Sequence, residues 1–143
     1  MTASHPSFAN PALADAFNAF PLPTRQALQK VRSWIYEIAA ADAQIGTIVE
    51  ELKWGQPSYA TQPKSGVPLR LGQPKDGASG ALYVPCQSAL IGELRAHYDH
   101  DEASSIWFEG NRGLHFDPTK PLPETELRHA IKLALTYYRR RKG

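Results

Sequence analysis

The stretch Glu50-Glu51-Leu52-Lys53-Trp54-Gly55-Gln56-Pro57-Ser58-Tyr59 is where the period of the chain changes, and its reading decides the fold. Upstream, apolar residues recur every three to four positions. From here on they come in short β-branched or aromatic runs bounded by Gly and Pro. Because side chains alternate across a strand, residues 49–54 place Leu52 and Trp54 on one face and Glu51 and Lys53 on the other. Gly55 and Pro57 predict a turn that ends the strand and carries Tyr59 elsewhere. Such a stretch supplies an apolar wall beside a charged rim.

Working outward, residues 11–20 read as a short helix with Leu13 and Phe17 on one side, closed by Pro21-Leu22-Pro23. Thr24 is placed to cap a longer helix. In it Leu28, Val31, Ile35 and Ile38 form an apolar stripe beside Trp34, while Arg25, Gln29, Lys30, Arg32 and Glu37 fill the polar side. After residues 49–54, strands are predicted near 68–71, 81–86, 106–109 and 114–117. Between the third and fourth, Ser88 caps a helix carrying Leu90, Ile91 and Leu94. Gly110-Asn111-Arg112-Gly113 tolerates the positive φ angles of a hairpin loop, so the last two strands form a hairpin. Pro123, Glu124 and Glu126 open a final helix running to about Arg140, with Leu127, Ile131, Ala134 and Tyr138 as its buried stripe. Adjacent strands are joined too briefly for crossovers. The fold class is therefore α+β, a mainly antiparallel sheet of about five strands packed by N-terminal, central and C-terminal helices.

At 143 residues the chain is read as one domain, with a flexible start over residues 1–10 and a basic tail over 139–143. The 12 prolines punctuate its connections, and the 42% hydrophobic and 21% charged composition is that of a globular chain rather than a disordered one. The net charge of +2 owes much to Arg139-Arg140-Arg141-Lys142, without which the balance is slightly acidic. Such a run can contact phosphates, but it also complements a helix dipole, and no nucleic-acid motif accompanies it. Nucleic acid is not an expected partner. The single Cys86 excludes an intramolecular disulfide and a multi-cysteine zinc site. No run is apolar enough for a membrane span or a signal peptide, so no membrane association is expected and a cytoplasmic location is the default.

Two clusters carry candidate chemistry. Glu51, Lys53, Trp54, Tyr59, Trp107, Glu109 and Arg112 combine aromatic walls with a few charges, as a small-ligand cleft requires. Placed between the two strands, they would hold an acidic or planar molecule with Arg112 gripping its carboxylate. The same residues also fit a core of tryptophans with ion pairs on a wet face. The second cluster is His97, Asp99, His100 and Asp101, in the run His97-Tyr98-Asp99-His100-Asp101-Glu102. Imidazole with carboxylate suits a divalent transition metal such as iron(II), if another element adds a ligand. A polar helix end with solvated carboxylates is the alternative. Cys86, ending an apolar strand before a helix, reads as a small buried hydrophobe rather than a reactive thiol, and the glycine-rich residues 72–80, without a phosphate-loop ending, read as a hairpin loop.

The motifs 51–59, Leu82-Tyr83 and Phe108-Glu109-Gly110-Asn111-Arg112, in that order, resemble the bacterial YdhG-like domain-of-unknown-function family. The similarity covers about Phe17 to Tyr138. It implies a small cytoplasmic α/β protein without an established reaction. Some members are labelled frataxin-like intracellular iron chaperones, so the resemblance implies iron or divalent-metal handling where a chain carries iron-binding carboxylates. This chain lacks the acidic helix ridge of a frataxin. The expectation is thus a binding protein handling iron or another divalent metal, or alternatively a metal-free small-molecule or protein-interaction module using Trp54, Tyr59 and Arg112. Oligomeric state is left open.

Overall fold

Asn10 begins the first helix by accepting the Leu13 N–H on its side chain at 3.1 Å, with Pro11 in the first turn where a missing N–H costs nothing. The computed structural model describes residues 7–75, 77–98 and 105–142. In chain order its elements are α1 (Pro11–Asn18), α2 (Leu22–Ala40), β1 (Thr47–Lys53), β2 (Gln56–Gln62), β3 (Leu69–Gly72) and β4 (Gly80–Tyr83). These are followed by α3 (Leu90–Tyr98), β5 (Ile106–Glu109), β6 (Gly113–Phe116), α4 (Glu124–Leu135) and α5 (Tyr137–Lys142). The fold is α+β, and the sheet is six-stranded and antiparallel in the order β1-β2-β3-β4-β6-β5.

The extra strand is β2, hidden within the opening stretch. Lys53 pairs with Gln56, so Trp54 and Gly55 alone form the loop, with φ of 55° and 76°. That is the two-residue hairpin turn in which both central residues take positive φ. Pro57 does not end the strand. It lies opposite Leu52, and the ladder to β3 takes in only Ser58 and Tyr59, so the missing N–H interrupts no bond on that side.

Trp54 departs from local preference, since a left-handed conformation costs a bulky residue roughly 1 kcal/mol. The side chain is 89% exposed and packs on little. Trp54→Asn is expected to stabilise the protein by about 1 kcal/mol, read as a higher urea midpoint. A lower midpoint would mean that the indole is held by contacts worth more than the strain.

Alternation along the strands sorts the two faces. Tyr59, Leu69, Leu71, Leu82, Leu114 and Phe116 join Leu28, Val31, Ile35, Leu127 and Ile131 in the core beneath the helices. The alternate positions, among them Arg70, Tyr83, Trp107 and His115, turn to the other face.

Several expectations are corrected here. Thr24 does not cap α2, which begins at Leu22; its buried hydroxyl instead accepts from the Gln73 side chain at 3.0 Å. Arg32, read as part of a polar face, is 2% exposed and paired with Glu50 at 2.6 Å. The Ser88 hydroxyl donates to the Pro85 carbonyl rather than capping α3. The last helix breaks at Thr136, because residues 65–67 hydrogen-bond into its backbone, and the break buries Tyr137 and leaves Tyr138 half-buried.

Both chain ends described are packed. In the segment read as a flexible start, the Ala9 N–H donates to Glu50 and Phe8 lies against Phe17; residues 1–6 lie outside the described residues. In the basic run, Arg139 pairs with Asp42 at 3.0 Å and Arg140 with Glu93 at 2.9 Å, so two of its charges tie α5 to the body. Among the described residues no helix is long and apolar enough to cross a membrane.

Candidate functional site

On the sheet face away from the helices, Pro74 and residues 77–79 of the connection between β3 and β4 lie beside β5 and β6. Trp107, Glu109 and His115 occupy alternate strand positions and so share that face, and Trp107 is the direct cross-strand partner of His115. Their rings stack at 5.9 Å with 15° between planes, and Tyr83 meets His115 edge-on. A cleft of about 580 Å³ opens here, lined by Trp107, Glu109, His115 and Asp117 from the sheet side and by Pro74 and Ser79 from the loop. That volume suits a small molecule.

A hydrogen-bond chain runs through the cleft. The Ser79 hydroxyl lies 2.8 Å from His115 Nδ1, and His115 Nε2 lies 2.8 Å from Glu109 Oε1. With the ring neutral, the Nε2–H donates to the Glu109 carboxylate and Nδ1 accepts from the Ser79 hydroxyl. The His115 side chain is 5% exposed, whereas that of Glu109 is 46% exposed. A buried base is thus oriented by an exposed acid and faces a hydroxyl. At the cleft mouth the Thr119 hydroxyl and N–H hold the Asp117 carboxyl below the usual range. Two carboxylates therefore line the site, which favours neutral or donor-bearing ligands over acidic ones.

The seven residues proposed from sequence do not form one cleft. β1 and β5 lie at opposite edges of the sheet, so Glu51, Lys53 and Trp54 are separated from Trp107, Glu109 and Arg112. Glu51 and Lys53 are exposed opposite Ser58 and Gln56, and Trp54 stands at the hairpin tip. Tyr59 is fully buried and donates to Glu50 Oε2 at 2.7 Å, so it presents no surface beside Trp54 or Arg112. Arg112 lies over the Tyr83 ring and 3.6 Å from Glu109, closing the β5–β6 hairpin. Trp107 and Glu109 are the two that reach the cleft.

Of the metal candidates, Asp99, His100 and Asp101 lie outside the described residues. The His97 ring packs against Tyr98 and against His129 of α4, with ring centroids 4.7 Å apart in the second contact. The Tyr98 hydroxyl sits 2.6 Å from His129 Nδ1. Burial, with His97 and Arg140 nearby, lowers the His129 pKa. Among the described residues no group of three or more His, Cys, Asp or Glu could hold a metal ion. Cys86, expected to be buried at the end of a strand, is instead an exposed free thiol, because β4 ends at Tyr83 and residue 86 lies in the turn before α3.

Sequence reading passed over Ser79, His115 and His129. The predicted hairpin, with strands over 106–109 and 114–117, sets His115 opposite Phe108; the observed strand begins one residue earlier, at Gly113, and that register brings His115 opposite Trp107. Ser79 had no signal, because its position depends on how the β3–β4 loop lies. No family model matches the chain, and neither a curated protein nor a solved structure matches it.

Proposed function

We propose that this protein binds a small planar ligand in the cleft between the β3–β4 loop and the β5–β6 hairpin. The observation that carries the reading is His115, buried yet engaged on both ring nitrogens by groups that line the cavity, with Trp107 stacked over it and 48% exposed. A half-exposed indole fixed in place by a ring on one side offers its remaining surface for stacking. The carboxylates of Glu109 and Asp117 supply acceptors for a ligand's N–H or O–H groups. Iron handling is supported by resemblance alone. A protein-interaction role is favoured by one observation, the 89% exposure of Trp54 at a hairpin tip.

Heteronuclear NMR with a panel of planar, uncharged heteroaromatic fragments tests the cleft. Binders are expected to move the Trp107 indole and His115 ring signals, and Trp107→Ala to weaken them about fivefold, roughly 1 kcal/mol of stacking. Shifts gathering at Trp54 instead would transfer the function to the hairpin tip. No shift at either place would sink both readings.

A further inference from the structure

The hydrogen-bond chain through the cleft has a direction, and a ligand pocket that only stacks and accepts hydrogen bonds does not need one. Glu109 fixes the proton on His115 Nε2, which turns a basic Nδ1 lone pair to the Ser79 hydroxyl at 2.8 Å. The nucleophile and the base are within hydrogen-bond reach, the base is oriented by a third group, and all three face one cavity. The base is shielded from bulk water by Trp107 and Tyr83, while the hydroxyl lies at the cavity wall beside the small residues Gly77 and Ala78. The arrangement has the roles of a serine acyl-transfer triad, recognised by geometry rather than by chain order or surrounding motif.

We propose that Ser79, His115 and Glu109 form an acyl-transfer site that cleaves small, uncharged carboxylic esters bearing a planar group. The proposal rests on the cleft reading above. Ser79 Oγ attacks the ester carbonyl carbon as its proton passes to His115 Nδ1. The carbon–oxygen bond to the alcohol then breaks, and the leaving oxygen takes that proton, giving the acyl-serine and the free alcohol. Water attacks the acyl-serine, losing a proton to Nδ1; the serine oxygen leaves and takes it back, releasing the carboxylic acid. Nothing is oxidised or reduced. Ser79 and His115 are the catalytic residues. Glu109 is a positioning residue that holds the imidazole tautomer, and Trp107 offers the planar group a stacking face. The carboxylates at the mouth disfavour an anionic ester, which sets the substrate class as neutral.

The test uses the full chain with p-nitrophenyl acetate and with a fluorophosphonate probe, followed by mass spectrometry of the labelled peptide. The expected result is a stoichiometric burst of nitrophenol and a single adduct on Ser79. Both should be lost in Ser79→Ala at unchanged thermal stability, and the burst should slow at least about 100-fold in His115→Asn. Glu109→Gln is expected to lower kcat by a larger factor than it raises KM, which a loss of packing or of ligand contact alone would not do. Ser79→Cys should restore acylation. An adduct elsewhere, equal labelling of Ser79→Ala, or no adduct in folded protein would overturn the proposal. Fragment shifts at Trp107 in that last case would leave the binding cleft standing without its nucleophile, so the two readings fail separately.

Discussion

Glu50→Gln is expected to destabilise the protein by about 3 kcal/mol, because it strands a buried guanidinium without its counter-charge. Arg32 and Glu50 are 2% and 8% exposed and meet through two bonds, Nε to Oε2 at 2.6 Å and Nη2 to Oε1 at 3.0 Å. The carboxylate also accepts from the Tyr59 hydroxyl at 2.7 Å and the Ala9 N–H at 3.0 Å, while the guanidinium lies against the rings of Phe8 and Tyr36. The pair is therefore hydrogen-bonded well enough to survive burial, and neither half is replaceable alone. The urea midpoint should fall accordingly. Replacing both, as Arg32→Met with Glu50→Leu, should recover part of the loss, since no unpaired charge then remains. A double variant as unstable as the sum of the singles would show that the two do not act as a pair.

The same pair sets an acid limit. Burial on its own would raise the Glu50 pKa, but the bonds from Arg32, Tyr59 and Ala9 overcome it and hold the group below the usual carboxylate range. Burial and the neighbouring carboxylate push the Tyr59 hydroxyl up, so it remains a donor throughout the accessible range. With the folded pKa below the unfolded value of about 4.3, Glu50 contributes its stability above that pH. The contribution is lost as pH falls from there through the folded value. The stability gap between wild type and Glu50→Gln is therefore expected to be flat above about pH 5 and to narrow below pH 4. A gap that stays constant to pH 3 would place the carboxylate outside this account.

Arg32 also marks where sequence reading stops. The spacing of Leu28, Val31 and Ile35 was enough to find α2 and its buried side. Arg32 adjoins that stripe, and only a carboxylate reaching it from β1 makes burial affordable. A single sequence does not show which acid will arrive. The opening stretch has the same lesson in reverse. Its alternation was read correctly as a strand, but Gly55-Gln56-Pro57 was read as an ending when Gly55 closes a tight hairpin, and the stretch is two strands rather than one. With β2 unseen, β1 had no fixed position in the sheet, and a cleft joining Glu51 to Glu109 looked admissible. The sheet order separates them by its full width. The β5–β6 hairpin, set by local turn chemistry, was legible from Gly110 to Gly113. Trp107 and Glu109, which depend on that hairpin alone, are the candidates that reach the cleft.

Gly66→Ala is the second substitution expected to be severe, at about 3 kcal/mol, the upper part of the overpacking range. A Cβ at Gly66 would fall 2.2 Å from the Ala134 carbonyl oxygen and 2.5 Å from the Leu135 backbone, which are rigid neighbours rather than side-chain tips. The contact cannot relax locally, because the adjoining residues are sutured to the same helix end. Val67 N–H donates to the Ala134 carbonyl at 2.9 Å, and the Ser65 hydroxyl shares its one proton between the Ile45 and Leu135 carbonyls, 2.8 and 3.0 Å away. The Ser65 carbonyl in turn accepts from Tyr138 and Arg139, the first turn of α5. Moving the loop to admit a methyl group thus breaks the bonds that end α4 and start α5. Hydrogen exchange should show it, with the Tyr138 and Arg139 amides accelerated more than those of β4. Gly92, in α3, meets nothing within 4 Å at its Cβ position. Gly92→Ala is the matched control, expected to stabilise by roughly 0.5–1 kcal/mol through helix propensity alone. If the two alanines proved equally mild, the helix break at Thr136 would owe nothing to the loop, and the continuous helix read from the apolar spacing would be the intrinsic preference of the segment.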